Sequence, residues 1–314
     1  MSSPEVSSEE GHRCGFITLA GAPNVGKSTL LNRLIGERLA ITSPRPQTTR
    51  NRIPGVLSRE DYQLIFVDTP GLHQAERAIN RYMNDVAREA IWETDLVALL
   101  VEAGVGPELE VGISELNREL LEALKGRSQR VFLILNKIDR IPTEQLLPVI
   151  DAWRSAYDFE EIVPISALKG HQVDHLEALF AAAMPEGPPL YPKDHLTDLP
   201  ERFIAAELIR EKLFRQLKRE LPYASAVTIE SWRELNQGRR VEIEAKIHVE
   251  RDSQRGIVIG KGGQRLKEIG SAARRDLERL LDVKIHLSLQ VRVEPGWTRS
   301  LGSMKKLGYE GGER

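Results

Sequence analysis

Cysteine occurs once, at Cys14. A single thiol excludes an internal disulfide and a thiolate metal cluster, and Cys14 reads as a small apolar packing residue. Aromatic residues are scarce, at 5%. No apolar run approaches the roughly 18 residues that span a bilayer. The first ten residues, Met1 to Glu10, are polar and acidic, unlike the apolar core of a secretory leader. These absences predict a cytoplasmic protein. An excess of one charge is missing too: 44 basic and 46 acidic side chains leave −2 over the whole chain. Taken as a whole, that balance argues against a nucleic-acid binder, but it averages two unlike parts. Met1 to Leu199 carries 20 basic and 29 acidic residues, a net of −9, whereas Pro200 to Arg314 carries 24 and 17, a net of +7. The basic C-terminal third predicts an anionic partner for that third alone.

With 314 residues, 41% of them hydrophobic and 29% charged, the chain is long enough for about two packed domains. From Gly15 to Met184 compact apolar runs alternate with helical stretches such as Ser28 to Leu34 and Ser114 to Leu124. The runs Phe16 to Ala20, Leu64 to Val67, Leu96 to Val101, Val131 to Leu135 and Glu161 to Ile165 have the continuous hydrophobicity of strands buried on both faces. This predicts a doubly wound α/β domain with a mostly parallel sheet. Pro185, Pro188, Pro189, Pro192 and Pro200 then mark a linker or extended arm. Beyond them, Glu201 to Leu221 has helical periodicity, Val241 to Val249 and Ile285 to Val293 alternate as strands, and a Gly-rich turn and a helix over Gly263 to Leu281 lie between. The order helix, strand, strand, short helix, turn, helix, strand predicts a smaller α+β domain with helices on one face of its sheet. The expected division is a tail at 1–12, the α/β domain at 13–184, a Pro-rich linker at 185–200, the α+β domain at 201–295 and a second tail at 296–314, either disordered or helping to hold RNA.

Gly21-Ala22-Pro23-Asn24-Val25-Gly26-Lys27-Ser28, followed by Thr29, comes after a strand and opens a helix. It matches the phosphate-loop pattern, in which glycines let successive N–H groups point at one anion and the helix N-terminus adds a favourable dipole. Lys27 is expected on the β- and γ-phosphates and Ser28 on Mg²⁺. Asn136-Lys137-Ile138-Asp139, after another strand, selects the base. A carboxylate at Asp139 accepts from guanine N1–H and the 2-amino group, whereas adenine would present a lone pair to it. Lys137 is placed over the ring, and the backbone N–H groups of Ser166, Ala167 and Leu168 are placed near the guanine carbonyl. Asp68-Thr69-Pro70-Gly71 also follows a strand end, with Asp68 reaching Mg²⁺ through a water and the Gly71 N–H on the γ-phosphate. Thr48 and Thr49 sit in a Pro-rich loop, and Thr49 is expected to complete the Mg²⁺ shell. Thr48, Thr49 and Asp68 to Leu72 form two loops that can change with the γ-phosphate.

These four motifs resemble those of the translation-factor-related GTPases, which implies in-line attack of water on the γ-phosphate. Leu72 stands where Ras-like enzymes carry a water-orienting Gln, so the resemblance is to hydrophobic-substituted GTPases with a low basal rate. Asn24 stands where several relatives use Asn to help hold K⁺, and K⁺ activation is the corresponding expectation. In the basic third, Ile259-Gly260-Lys261-Gly262-Gly263-Gln264-Arg265, with Lys267 following, joins two helices. It resembles the loop of KH modules, which clamps about four single-stranded nucleotides; the element order is that of a type II KH domain.

The whole combination resembles the Era family of bacterial ribosome-assembly GTPases: a P-loop GTPase domain with Pro46-Gln47-Thr48-Thr49-Arg50 and Asp68-Thr69-Pro70-Gly71-Leu72-His73, then a KH domain. Arg77-Ala78-Ile79-Asn80, Leu221-Pro222-Tyr223 and Leu307-Gly308-Tyr309 add to the likeness. The resemblance implies a monomer that uses GTP, GDP and Mg²⁺. It implies binding to the 3′ end of 16S ribosomal RNA, assistance to 30S maturation, nucleotide gating of RNA binding, and peripheral association with the inner membrane face. Two other readings stay open: a GTPase working mainly in membrane-associated or cell-cycle signalling, and an RNA-binding module with a vestigial nucleotide site.

Overall fold

The computed structural model describes residues 11–309, apart from 44, 46, 73–77, 105–114 and 127–128. Most of the N-terminal tail, Pro44, Pro46, His73, Arg77, Ser114 and residues 310–314 therefore lie outside the described residues. The chain divides into two compact units, and the division is not a single cut. One unit holds residues 1–40, 51–74 and 86–198; the other holds 41–50, 75–85 and 199–314.

In the first unit six strands form one sheet: β1 (Arg13–Ala20), β2 (Ile53–Ser58), β3 (Tyr62–Asp68), β4 (Leu96–Glu102), β5 (Arg130–Asn136) and β6 (Glu161–Pro164). Their order is β2-β3-β1-β4-β5-β6, parallel throughout except for β2 against β3. Helices α1 (Lys27–Ile35), α2 (Ala78–Trp92), α3 (Glu115–Leu124), α4 (Leu146–Arg154) and α5 (Val173–Ala183) occur along this part of the chain, the start of α2 grouping with the second unit. The interior strands are the uninterrupted apolar runs of the sequence, and Leu96 to Leu100 are fully buried.

Strand β2 has no such run, because Pro54 and Gly55 interrupt it. Proline is tolerated at a sheet margin, where one side of the strand needs no ladder partner, and Gly55 is required for packing: a Cβ there would lie 2.9 Å from Leu31 Cδ1. The Pro-rich stretch covers that margin. Val56 N donates to Leu196 O at 2.8 Å and Thr197 Oγ1 to Pro54 O at 2.6 Å. Gln63, 1% exposed, receives the backbone N–H groups of Leu190 and Tyr191 on Oε1 at 2.8 and 2.9 Å and donates Nε2 to Tyr191 O. The stretch is thus an arm clipped to the sheet by its own backbone. Cys14 packs with Val56, Ile65 and Tyr191, and burial pushes its thiol pKa up.

The second unit holds α6 (Glu201–Gln216), β7 (Ala226–Leu235), β8 (Arg240–Val249), α7 (Asp252–Ile259), α8 (Gln264–Leu281), β9 (Lys284–Val293) and α9 (Leu301–Lys306). β8 is central, antiparallel to β7 and parallel to β9, with Val241 beside Ile285 and Val249 beside Val293. Helices α6 and α8 close one face through Ile209, Leu213, Ile269, Ala273 and the inward side chains of β8. Helix α6 stops five residues short of the sequence expectation. Leu217 turns to extended backbone, yet Leu217 and Leu221 stay buried and so continue the apolar pattern without the helix. Among the described residues no helix is long and apolar enough to cross a membrane.

Candidate nucleotide site and nucleic-acid interface

The loops of the first unit that carry the sequence motifs leave the carboxyl ends of parallel strands, where open α/β sheets gather ligands. The phosphate loop runs from β1 into α1. Gly21 and Gly26 hold φ of 134° and 108°, and a Cβ at Gly26 would lie 2.2 Å from Asn136 Nδ2. Lys27 is 6% exposed, and its Nζ donates to Gly21 O and Ala22 O at 3.0 and 2.9 Å. Burial lowers its pKa to about 8, with Asp68 opposing. An ammonium held dry among carbonyls, beside a helix N-terminus, is poised for an anion. Ser28 Oγ donates to Asp68 Oδ2 at 2.6 Å. A hydroxyl and a carboxylate in contact are the oxygen donors a hard divalent cation takes, so these residues fit Mg²⁺. Gly71 abuts the phosphate loop: a Cβ there would lie 2.6 Å from Pro23 Cα and N. Thr69 Oγ1 donates to Leu19 O at 2.8 Å, fixing the start of that loop. Leu72 points into the apolar core at 6% exposed, so its side chain cannot orient water. Asn24 is exposed on the loop with φ of 64°.

The base-selecting motif is braced from both sides. Asn136 Nδ2 donates to Val25 O at 2.7 Å and its Oδ1 accepts from Ala167 N at 2.9 Å, joining the phosphate loop to the 166–168 loop. The amides of Ser166 and Ala167 are therefore engaged within the protein, Ser166 N donating to His171 O. In this state they do not offer the free N–H groups that the sequence suggested. Arg33 ties the same loop through Ala167 O and Leu168 O, at 3.2 and 2.6 Å, and leaves the Leu168 side chain exposed. Asp139 accepts from Ser166 Oγ at 2.5 Å. That hydrogen bond chiefly holds its pKa below the usual carboxylate range, so it is an acceptor across the physiological range. Lys137, at φ of 67°, pairs with Glu102 at 2.6 Å, and Arg140 shares the same carboxylate. Glu102 was not singled out in the sequence, since nothing marks the end of β4 as the partner of a lysine 35 positions on.

Thr48 and Thr49 group with the second unit. Thr48 O accepts from Arg210, and Thr49 is buried. Of the three residues expected on Mg²⁺, the first unit brings Ser28 and Asp68 together.

In the second unit Gly260, Lys261, Gly262 and Gly263 join α7 to α8. Gly260, Gly262 and Gly263 have φ of 73°, 59° and 79°. A Cβ at Gly260 would meet Arg265 Cβ at 2.8 Å, whereas nothing lies within 4 Å of one at Gly262 or Gly263. The turn is therefore sterically open at Gly262 and Gly263, while the Gly260 and Gly263 amides donate to Gly256 O and Gly260 O at 2.9 and 3.2 Å. Lys261, Gln264 and Lys267 surround it, and Arg265 braces it by donating to Ile257 O at 2.6 Å. Ile259 is half-buried. Beside the turn is an apolar strip that sequence reasoning did not identify: Ile257 is 47% exposed, and Leu287, Leu289, Val291 and Val293 line half-buried positions of the marginal strand β9. These β9 residues share the strand face that the alternation predicts and pack against the core. Their partial exposure follows from β9 lying at the margin of the sheet, although α8 packs closely on it, a Cβ at Gly270 coming 3.3 Å from Leu289 Cδ1. An open glycine turn, three cations and an apolar strip suit a phosphodiester backbone with unpaired bases.

The described part of the C-terminal tail is not a loose end: Trp297 is fully buried and Tyr309 is 5% exposed. Lys305 and Lys306 remain exposed on α9.

Residues 16–137 match the family model for 50S ribosome-binding GTPases, and 220–298 match that for KH domains. The GTPase Era of Geobacter metallireducens is 51% identical over 302 residues, covering 96% of this chain and 99% of that protein. The chain belongs to the Era family of GTPases. The GTPase Era of Geotalea uraniireducens is 49% identical over the same shares of the two chains. A crystal structure of Era in complex with MgGDPNP and nucleotides 1506–1542 of 16S ribosomal RNA matches at TM-score 0.89 and 37% identity, covering 95% of this chain and 99% of that one. A point variant of Aquifex aeolicus Era bound to GDP·AlF4⁻ matches at 0.86 and 38%, with the same coverage. Like its Era relatives, the chain is a GTPase with a C-terminal KH domain.

Proposed function

We propose that this Era-family GTPase holds the 3′ end of small-subunit ribosomal RNA through the turn from Gly260 to Gly263, and that it assists 30S maturation under control of its bound nucleotide. The observation that carries the reading is that turn: three glycines at positive φ, two of them with no protein atom within reach of an added Cβ, beside Lys261, Arg265 and Lys267. The 16S segment held by the solved relative supports the choice of RNA.

In the GTPase unit Lys27 and the amides of residues 21–29 cradle the phosphates. Ser28, Asp68 and Thr49 are the groups that would hold Mg²⁺, which when bound neutralises charge on the β- and γ-phosphates. Asp139 reads guanine. Because Leu72 is turned into the core, no side chain at that position orients the attacking water, and a low basal rate follows. Asn24, exposed on the loop, would help hold K⁺ and place a positive charge beside the phosphates. Equal turnover in K⁺ and Na⁺ at one ionic strength rules this out. GTP orders the loops at Thr49 and Gly71 and so favours the RNA-holding state; by linkage RNA favours the GTP state.

Crosslinking of RNA to the protein in cells, followed by sequencing, tests the partner. The expected reads concentrate at the 3′ end of 16S RNA; reads spread evenly over other RNAs overturn that choice. Equal RNA affinity with GDP and with GDPNP removes the coupling.

A further inference from the structure

Arg50, the residue after Thr49, is enclosed to an unusual degree for a cation, at 1% exposed. Nη1 donates to Ser225 O and to the Tyr309 hydroxyl at 2.9 Å each; Nη2 donates to Tyr223 O at 2.9 Å and Pro222 O at 3.3 Å. The rings of Phe214, Trp297 and Tyr309 stand 5.7–5.8 Å from its Cζ. A buried guanidinium is costly unless its donors and charge are answered; here carbonyl oxygens, the Tyr309 hydroxyl and ring faces answer Nη1 and Nη2, an arrangement that suits the planar fork of arginine, while Nε is buried without a hydrogen-bond partner. One residue earlier than Thr49, Thr48 O accepts from Arg210, itself 1% exposed and paired with Glu207. The chain on both sides of Thr49 is thus fixed to α6, to the 222–225 turn and to the tail.

The tail meets helix α2 as well. Trp297 donates Nε1 to Ala224 O at 3.0 Å and stacks on Tyr309 with centroids 5.6 Å apart at 13°. Tyr309 also packs edge-on against Tyr82 of α2, at 6.1 Å. Tyr309 therefore touches both Arg50, directly after Thr49, and Tyr82 of α2, and it lies beyond the KH match, which ends at 298.

We propose that the C-terminal tail is a latch: Tyr309, braced by Trp297, holds Arg50 and Tyr82 and thereby positions Thr49 for Mg²⁺ and the GTP state. Residues 297–309 then serve as a positioning element for the nucleotide reaction and link nucleotide state to RNA grip; this rests on the reading of Thr49 given above.

Three variants of the full chain test it. Tyr309→Phe removes only the hydroxyl, Tyr309→Ala removes the ring, and Arg50→Lys keeps the charge but cannot reach all four acceptors. The measurements are the ratio of affinity for a synthetic 16S 3′-end RNA with GDPNP to that with GDP, the Mg²⁺ concentration for half-maximal GDPNP binding, and the melting temperature. For Tyr309→Ala and Arg50→Lys the Mg²⁺ requirement should rise about tenfold, as expected for loss of one hydrogen-bonded charge contact. The affinity ratio should fall toward one, while RNA affinity with GDP holds. Tyr309→Phe should show a smaller shift in the same direction. A folded variant that keeps both the wild-type ratio and the wild-type Mg²⁺ requirement overturns the latch. If the larger substitutions fail to fold, Tyr309→Phe carries the test. A wild-type protein with no ratio to lose overturns the coupling reading instead, and the latch is then judged on Mg²⁺ alone.

Discussion

Lys27 is a charge kept out of water in anticipation of a ligand, and its proton reports on that ligand. Burial lowers its pKa from 10.5 to about 8 in the free protein, while the unfolded chain keeps its proton to the higher value. Between those values the unfolded state binds more protons, so stability rises with pH across the window, and the burial penalty is fully present below it. A bound phosphate draws the proton back, so binding above pH 8 takes up a proton. Affinity for GDP should therefore be flat below about pH 7.5 and weaken severalfold by about pH 9. A fluorescent GDP analogue labelled on the ribose measures this, and a constant dissociation constant over that range refutes it. Asp139 gives a second prediction. An amide has one acceptor oxygen where the carboxylate has two, so Asp139→Asn should weaken GTP on the order of a hundredfold. The same change should improve binding of xanthosine triphosphate, whose base has a carbonyl at the 2-position. Loss of both nucleotides in a folded variant would count against Asp139 as the base reader. These motif residues could be read from the sequence because each acts through its own chemistry at a strand end. Glu102 and Arg50 could not, because their roles depend on partners 35 and 259 positions away.

At the scale of elements, two glycines do opposite work. Gly71 is a filled position, its missing Cβ lying 2.6 Å from the Pro23 backbone. Gly71→Ala must push the phosphate loop outward, and affinity for GTP analogues should fall at least about tenfold, since neither backbone can yield cheaply. Gly263 is an open position with φ of 79°. A side chain there costs about 1–2 kcal/mol of backbone strain and meets no protein atom, so its main effect is on what approaches from outside. Gly263→Asp adds a carboxylate where phosphates come near. RNA affinity should drop more than about tenfold while GTP hydrolysis without RNA stays within about twofold, a contrast that filter binding and phosphate release measure together. The order of elements followed from periodicity, and the strands of the first sheet announced themselves by continuous burial. β2 did not, because Pro54 and Gly55 imitate a turn. The tail did not, because its burial depends on Arg50, and an isolated Trp297 carries no period.

At the scale of the whole molecule the near-zero net charge conceals an asymmetry, −9 up to Leu199 and +7 from Pro200. The acidic part needs positive charge only at Lys27 and a helix end, both local and largely shielded from salt. The basic part must hold a backbone of negative charges at its surface, through Lys261, Arg265 and Lys267 around an exposed turn. Counterion release from a single strand gives a slope of about −0.7 for each phosphate neutralised, so three or four contacts predict a slope of roughly −2 to −3 in log affinity against log salt. Raising salt from about 50 to 200 mM should then weaken RNA binding by about 20- to 50-fold and GDP binding much less. Lys261→Ala should reduce the slope by about 0.7 and leave the GDP curve in place. Parallel salt titrations of both ligands decide the matter. If the two slopes are equal, or if RNA binding is insensitive to salt, the basic third does not hold RNA by its charge and the apolar strip at Ile257 and Leu289 must carry the contact.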